Sequence, residues 1–87
     1  MDSPGNFYKL YEKDEKGFFN KLKEEGFEIK SFDRGYSWIS FPEISPFFLA
    51  EIYENGRILV YNKEKRYKDN KALQKKVSEL EGIIKEF

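Results

Sequence analysis

Histidine and cysteine are absent from the 87-residue chain, which removes the commonest general base, the commonest metal ligand and all thiolate chemistry. Acid–base work would fall to carboxylates, and the close pairs are Glu24/Glu25, Glu51/Glu54 and Glu79/Glu81. Two carboxylates act on a glycosidic bond only across a cleft of controlled width, and a chain this short has little material for one. Carboxylate-only metal binding needs a dense acidic cluster, and the sequence writes none. A small ribonuclease built from Lys, Arg and Tyr would have only Arg34, Arg57 and Arg66 to stabilise charge on phosphate. The expectation is no enzyme, no metal, no cofactor and no small-molecule substrate.

Binding is the chemistry left. Lys63, Lys65, Arg66, Lys68, Lys71, Lys75 and Lys76 form a basic run broken only by Glu64 and Asp69. Such a run sits on phosphates, with Tyr67 stacking on a base, or is simply a solvated loop and outer helix face. Lys+Arg and Asp+Glu balance at 16 each, so the field that a phosphate-binding protein usually carries is missing. The balance conceals an asymmetry: residues 1–62 hold three more acidic than basic side chains, and residues 63–87 three more basic than acidic. Aromatics make up 18% of the chain, too many for a disordered segment and enough to close one small core. The length allows one domain, 1–87.

No apolar run approaches a membrane span, and the opening MDSPGNFYK lacks a signal peptide's layout. The cytoplasm is the expected location. Lys and Glu dominate the charges and Gln74 is the sole Gln, a pattern that fits a heat-adapted source.

The elements that must position these residues follow from periodicity and turn chemistry. Residues 1–13 are ambiguous: Ser3-Pro4 reads as a helix start, whereas Phe7, Lys9 and Tyr11 alternate as on a strand. From Asp14, a capping residue, Phe18, Phe19 and Leu22 make an apolar stripe that ends at Gly26. A helix is expected over 14–25, closed by a Schellman turn that sets Phe27 against Leu22. Residues 27–41 read as a hairpin whose Asp33-Arg34-Gly35 connection suits a three-residue loop. Phe27, Ile29, Ile39 and Phe41 then share one face, while Phe32, Tyr36 and Trp38 share the other. In the second hairpin, 47–61, Asn55-Gly56 predicts a two-residue type I′ turn. Glu54 would pair with Arg57. Leu49, Tyr53, Ile58 and Val60 would share one face and Phe48, Ala50, Ile52, Leu59 and Tyr61 the other, and either set can continue the outer face of the first hairpin. Asp69 or Asn70 caps a last helix whose stripe is Leu73, Val77, Leu80, Ile84 and Phe87. Core packing suits that stripe better than a coiled coil, which its length and Gly82 discourage. The fold class is α+β: an N-terminal helix, a four-stranded antiparallel sheet of two hairpins with turns at 33–35 and 55–56, and a C-terminal helix.

That order, with Glu-Asn-Gly-Arg-Ile-Leu-Val-Tyr at 54–61 and a Lys/Glu-rich closing helix, resembles one half of a TATA-binding-protein fold. It is also similar to the TATA-binding-like domain at the N-terminus of type 3 bacterial ribonucleases H. The resemblance spans about residues 14–87. It implies an uncovered sheet face that contacts nucleic acid through the outer residues of 28–40 and 47–60.

Two binding functions are therefore expected in order. The first is a non-catalytic module docking on a protein, a partner or a second copy in a homodimer, through Phe32, Tyr36, Trp38, Leu49, Tyr53, Ile58 and Val60. The alternative is a nucleic-acid module that stacks bases on sheet aromatics and meets phosphates with Lys30, Lys63, Lys65, Arg66, Lys68 and Lys71, with Tyr67 as a further stacker.

Overall fold

The computed structural model describes residues 5–9, 15–32 and 35–86, without the side chains of Glu15, Phe32 and Glu64. The expected caps Ser3-Pro4 and Asp14, the turn residues Asp33 and Arg34, and Phe87 of the closing stripe lie outside the described residues, as does the Phe32 side chain.

The chain is α+β, but its antiparallel sheet has five strands rather than the four expected. In chain order the elements are β1 (Gly5–Lys9), α1 (Glu15–Glu24), β2 (Glu28–Phe32), β3 (Tyr36–Ser40), β4 (Phe48–Ile52), β5 (Arg57–Tyr61), a short α2 (Lys63–Arg66) and α3 (Lys71–Glu86). The sheet runs β1-β5-β4-β3-β2. The ambiguous N-terminal segment supplies the extra strand, with Phe7 opposite Leu59 and Tyr8 opposite Ile58. Among the described residues no helix is long and apolar enough to cross a membrane.

Local chemistry accounts for the helix ends. The Phe27 amide donates to the Leu22 carbonyl at 2.9 Å and the Gly26 amide to the Lys23 carbonyl at 3.1 Å, which is the Schellman pattern. At α3 the cap is Asn70, whose Oδ1 accepts from the Leu73 amide at 3.1 Å. Asn62 does the same for α2, accepting from the Lys65 amide at 3.2 Å. The α3 stripe turns Leu73, Val77, Leu80, Ile83 and Ile84 inward. They join Phe18 and Leu22 of α1, and Ile39, Ala50, Ile52, Ile58 and Val60 of the sheet, in one buried cluster. Both long helices thus lie on one sheet face.

The first hairpin has the expected register, with Phe32 opposite Tyr36 and Lys30 opposite Trp38. The second does not. Ala50 faces Val60, Glu51 faces Leu59 and Ile52 faces Ile58, one residue away from the pairing that a two-residue turn would give. The loop is the three residues Glu54-Asn55-Gly56. The Tyr53 amide donates to the Arg57 carbonyl at 2.8 Å, the Gly56 amide to the Tyr53 carbonyl at 2.9 Å, and Gly56 sits at a φ of 84°. This loop needs one left-handed residue, and Gly56 supplies it. Asn-Gly suits either loop, so faces decide. A two-residue turn would place Arg57 and the Tyr61 hydroxyl under the helices, where an unpaired polar group costs about 1–3 kcal/mol.

The shift moves two expected docking residues into the core. Ile58 and Val60 are buried beneath the helices, and the expected Glu54–Arg57 pairing is replaced by Tyr53 facing Arg57. Leu49 is buried for a second reason. Ile39 pairs with Ala50, but the next residue, Ser40, pairs with Phe48. Leu49 is the extra residue of a bulge, which lets it and Ala50 enter the core together.

The loop assignment predicts opposite effects at two glycines. Gly56→Ala forces a Cβ into the left-handed region and should lower unfolding free energy by about 1–2 kcal/mol. Gly82→Ala lies in α3, where an added Cβ meets nothing within 4 Å, and should raise it by about 0.5–1 kcal/mol. Urea midpoints of the two variants read both signs.

Candidate functional site

The face opposite the helices is built by the residues that alternate with the core positions. β3 brings Tyr36 and Trp38, β4 brings Phe48 and Glu51, β5 brings Arg57, Leu59 and Tyr61, and β1 brings Phe7. Tyr53, just past β4, joins them. Leu59 and Tyr61 are buried but stand outside the helix-side cluster, since neighbouring side chains on their own face shield them. Phe7 is 51% exposed and Tyr36 39%, while Trp38, Phe48 and Tyr53 are half-buried.

The rings form a continuous row. Tyr53 meets Tyr36 edge-on, with centroids 5.4 Å apart and planes at 79°. Tyr36 lies 6.2 Å from Trp38, and Trp38 lies 5.7 Å from Phe48. These separations fall within the range at which ring quadrupoles attract. Two guanidinium groups rest on rings at the margins: Arg57 is 5.1 Å from the Phe7 centroid and Arg66 is 4.3 Å from that of Tyr61.

Glu51 sits amid this row as a carboxylate clamp. It accepts from the Tyr53 hydroxyl at 2.6 Å and, through its other oxygen, from the Tyr61 hydroxyl. The Tyr53 phenol is pushed up to about 12, first by that hydrogen bond and then by partial burial and by the nearby negative charge. Tyr61 is raised chiefly by burial, then by its bond to Glu51, while Arg66 and a Trp38 hydrogen bond act against the shift. A smaller network of the same kind ties β1 to α3. Glu81 accepts from the Tyr8 hydroxyl at 2.5 Å and from Asn6 Nδ2 at 2.9 Å, and burial followed by that carboxylate takes the Tyr8 phenol to about 12.

The expected basic surface is divided. Lys63 Nζ donates to Ser78 Oγ at 2.6 Å and lies 4.0 Å from Glu81. Lys76 lies 2.9 Å from Glu79 and over the Phe41 ring. Lys65, Arg66, Lys68 and Lys71 are exposed, whereas Lys30 lies across the sheet on β2, 3.9 Å from Glu28. Tyr67 requires a correction: it is 4% exposed, packed in the helix-side core, and its hydroxyl donates to the Phe48 carbonyl. It has no free ring face for a base. The carboxylate pairs do not converge either. Glu81 turns to β1 while Glu79 meets Lys76, and Glu51 is held by tyrosines while Glu54 is exposed. Among the described residues no group of three or more acidic side chains gathers to hold a metal.

Of the docking residues expected from sequence, the structure brings Tyr36, Trp38 and Tyr53 together and sends Leu49, Ile58 and Val60 inside. Phe48, Leu59 and Tyr61, of the alternate hairpin set, also belong to the face, as do Phe7 and Arg57, which were not anticipated. One signal was present. Glu51, Tyr53 and Tyr61 all carry polar tips, and only the shifted register gathers those tips on one face. Compared with known proteins, the chain matches no family model, no curated protein and no solved structure.

The clamp fixes how the protein responds to alkali. The Tyr53 and Tyr8 phenols are held up to about 12 in the fold, against 10.0 when unperturbed. Their contribution to stability is whole below pH 10 and is lost as pH rises through 12, because the unfolded chain gives up these protons first. Glu51→Gln removes the charge beside Tyr53 and should bring its ionisation down toward 10, leaving Tyr8 unmoved. Phenolate absorbance against pH measures both.

Proposed function

We propose that the chain is a non-catalytic binding module that docks on another protein through the sheet face opposite its helices. The observation behind this reading is the ring row of Tyr53, Tyr36, Trp38 and Phe48, with Phe7 beside it, on the face that no described helix covers. Aromatic side chains with polar tips supply large contact area at small entropic cost, and they anchor interfaces for that reason. The face is ringed by charges of both signs, Lys30 and Arg57 beside Glu28 and Glu54, as interface rims are.

Glu51 separates this reading from nucleic-acid binding. A carboxylate amid the stacking row repels phosphate, and the candidate phosphate contacts are split between the α2 region and the opposite sheet edge. Tyr67, the stacker expected in the basic run, is a core residue. The resemblance to a TATA-binding-protein half remains attached to the nucleic-acid alternative, which keeps Trp38 and Tyr36 for stacking.

Affinity capture from the source cells with purified wild type and Tyr36→Ala tests the reading. The substitution should weaken retention of a protein partner by about tenfold or more while lowering fold stability by less than about 1 kcal/mol. Retention indifferent to both Tyr36→Ala and Phe7→Ala would overturn it. Salt-dependent binding of single- or double-stranded nucleic acid, lost in Tyr36→Ala, would transfer the face to the alternative.

A further inference from the structure

The β2 edge of the sheet carries a pattern that complements itself. Strand alternation determines which backbone groups point outward there. Because the Tyr53 amide bonds the Arg57 carbonyl, Tyr53 and Glu51 turn their backbone groups toward β5, and Ala50 and Ile52 turn theirs toward β3. Their partners Ile39 and Ser37 bond back, leaving Tyr36 and Trp38 for β2. Opposite these, Lys30 and Phe32 face β3, and Glu28 follows by alternation. Ile29 and Ser31 therefore present their N–H and C=O groups to the sheet edge that no strand among the described residues pairs with.

We infer that this edge pairs with the β2 edge of a second copy, antiparallel about a twofold axis at Ile29. In that register the two Ile29 residues exchange reciprocal backbone bonds. Each Ser31 amide meets the Phe27 carbonyl of the other copy, while the Phe27 amide stays on the α1 cap. Glu28 of one copy faces Lys30 of the other twice over, on the outer face where both side chains are about half exposed. Directly opposed unlike charges stabilise an antiparallel pair, and like charges destabilise it by similar amounts. The neighbouring registers with the same hydrogen-bond parity fail on this ground. A slip one way sets Lys30 against Lys30, and a slip the other way sets Glu28 against Glu28. A lone edge lysine blunts an edge; the glutamate two residues before it reverses that effect for this one partner. Ile29, only partly covered by the helix-side core, gains the second Ile29 as its missing neighbour. The association joins two five-stranded sheets into one and extends the outer face across both copies.

Sedimentation of the purified chain at high micromolar concentration, in low and high salt, tests the inference. Wild type should show a reversible, salt-weakened dimer. Lys30→Glu should weaken it by about tenfold or more, since two favourable pairs become two repulsive ones. The double swap Glu28→Lys with Lys30→Glu should restore it, which a nonspecific loss of stability would not do. A strict monomer at every concentration overturns the inference, as does a dimer that Lys30→Glu leaves intact or that the double swap fails to rescue. A dimer lost instead in Tyr36→Ala would run through the outer face, overturning the edge pairing and leaving the docking reading in place.

Discussion

The one-residue register of the second hairpin is the constraint on which the rest of the molecule depends. Every residue of β5 takes its face from it, because side chains alternate with period two. With Ile52 opposite Ile58 and Ala50 opposite Val60, four small and branched side chains form a surface that α3 can cover. The residues between them, Glu51, Leu59 and Tyr61, are thereby committed to the other side. There Glu51 finds two tyrosine hydroxyls instead of a dry interior, and the cost of partly burying its charge is met by hydrogen bonds. The register also sets β1, whose Tyr8 must stand beside Ile58 to reach Glu81. A slip would strand both carboxylates.

Sequence made legible whatever local chemistry decides alone. The end of α1 followed from Gly26 and from Phe27 returning to Leu22, the α3 stripe from its spacing, and the first hairpin from Gly35 and its clean sorting of faces. Two features were hidden for different reasons. β1 is a five-residue edge strand whose inward positions are Asn6 and Tyr8, so its alternation carries no hydrophobic contrast, and only pairing with β5 identifies it. The Asn55-Gly56 turn is compatible with two loop lengths, and both resulting faces look apolar. The choice depends on where hydroxyls and charges find partners, which is tertiary information. Leu49 adds a third case, since a bulge breaks the alternation from which its face was inferred.

A common device runs through the outer sheet face. Charged groups are held on aromatic or phenolic partners: Glu51 by Tyr53 and Tyr61, Arg57 on Phe7, Arg66 on Tyr61. This pre-orders long and polar side chains, so less freedom is lost when a partner covers them. It also explains how a chain of zero formal net charge can keep a specific surface without a long-range field. The proposed docking rests on shape and ring contact, with charges setting alignment. The proposed edge pairing at β2 obeys the same logic on a smaller scale, with Glu28 and Lys30 setting which register is acceptable.

Cross-strand nuclear Overhauser effects between α-protons test the register most directly, because they are strong only between residues opposed in non-hydrogen-bonded pairs. The account predicts strong contacts between Ile52 and Ile58 and between Ala50 and Val60. Contacts from Tyr53 to Ile58, or from Glu51 to Val60, would show the two-residue turn instead. They would return Ile58 and Val60 to the outer face and contradict the assignment of the docking surface.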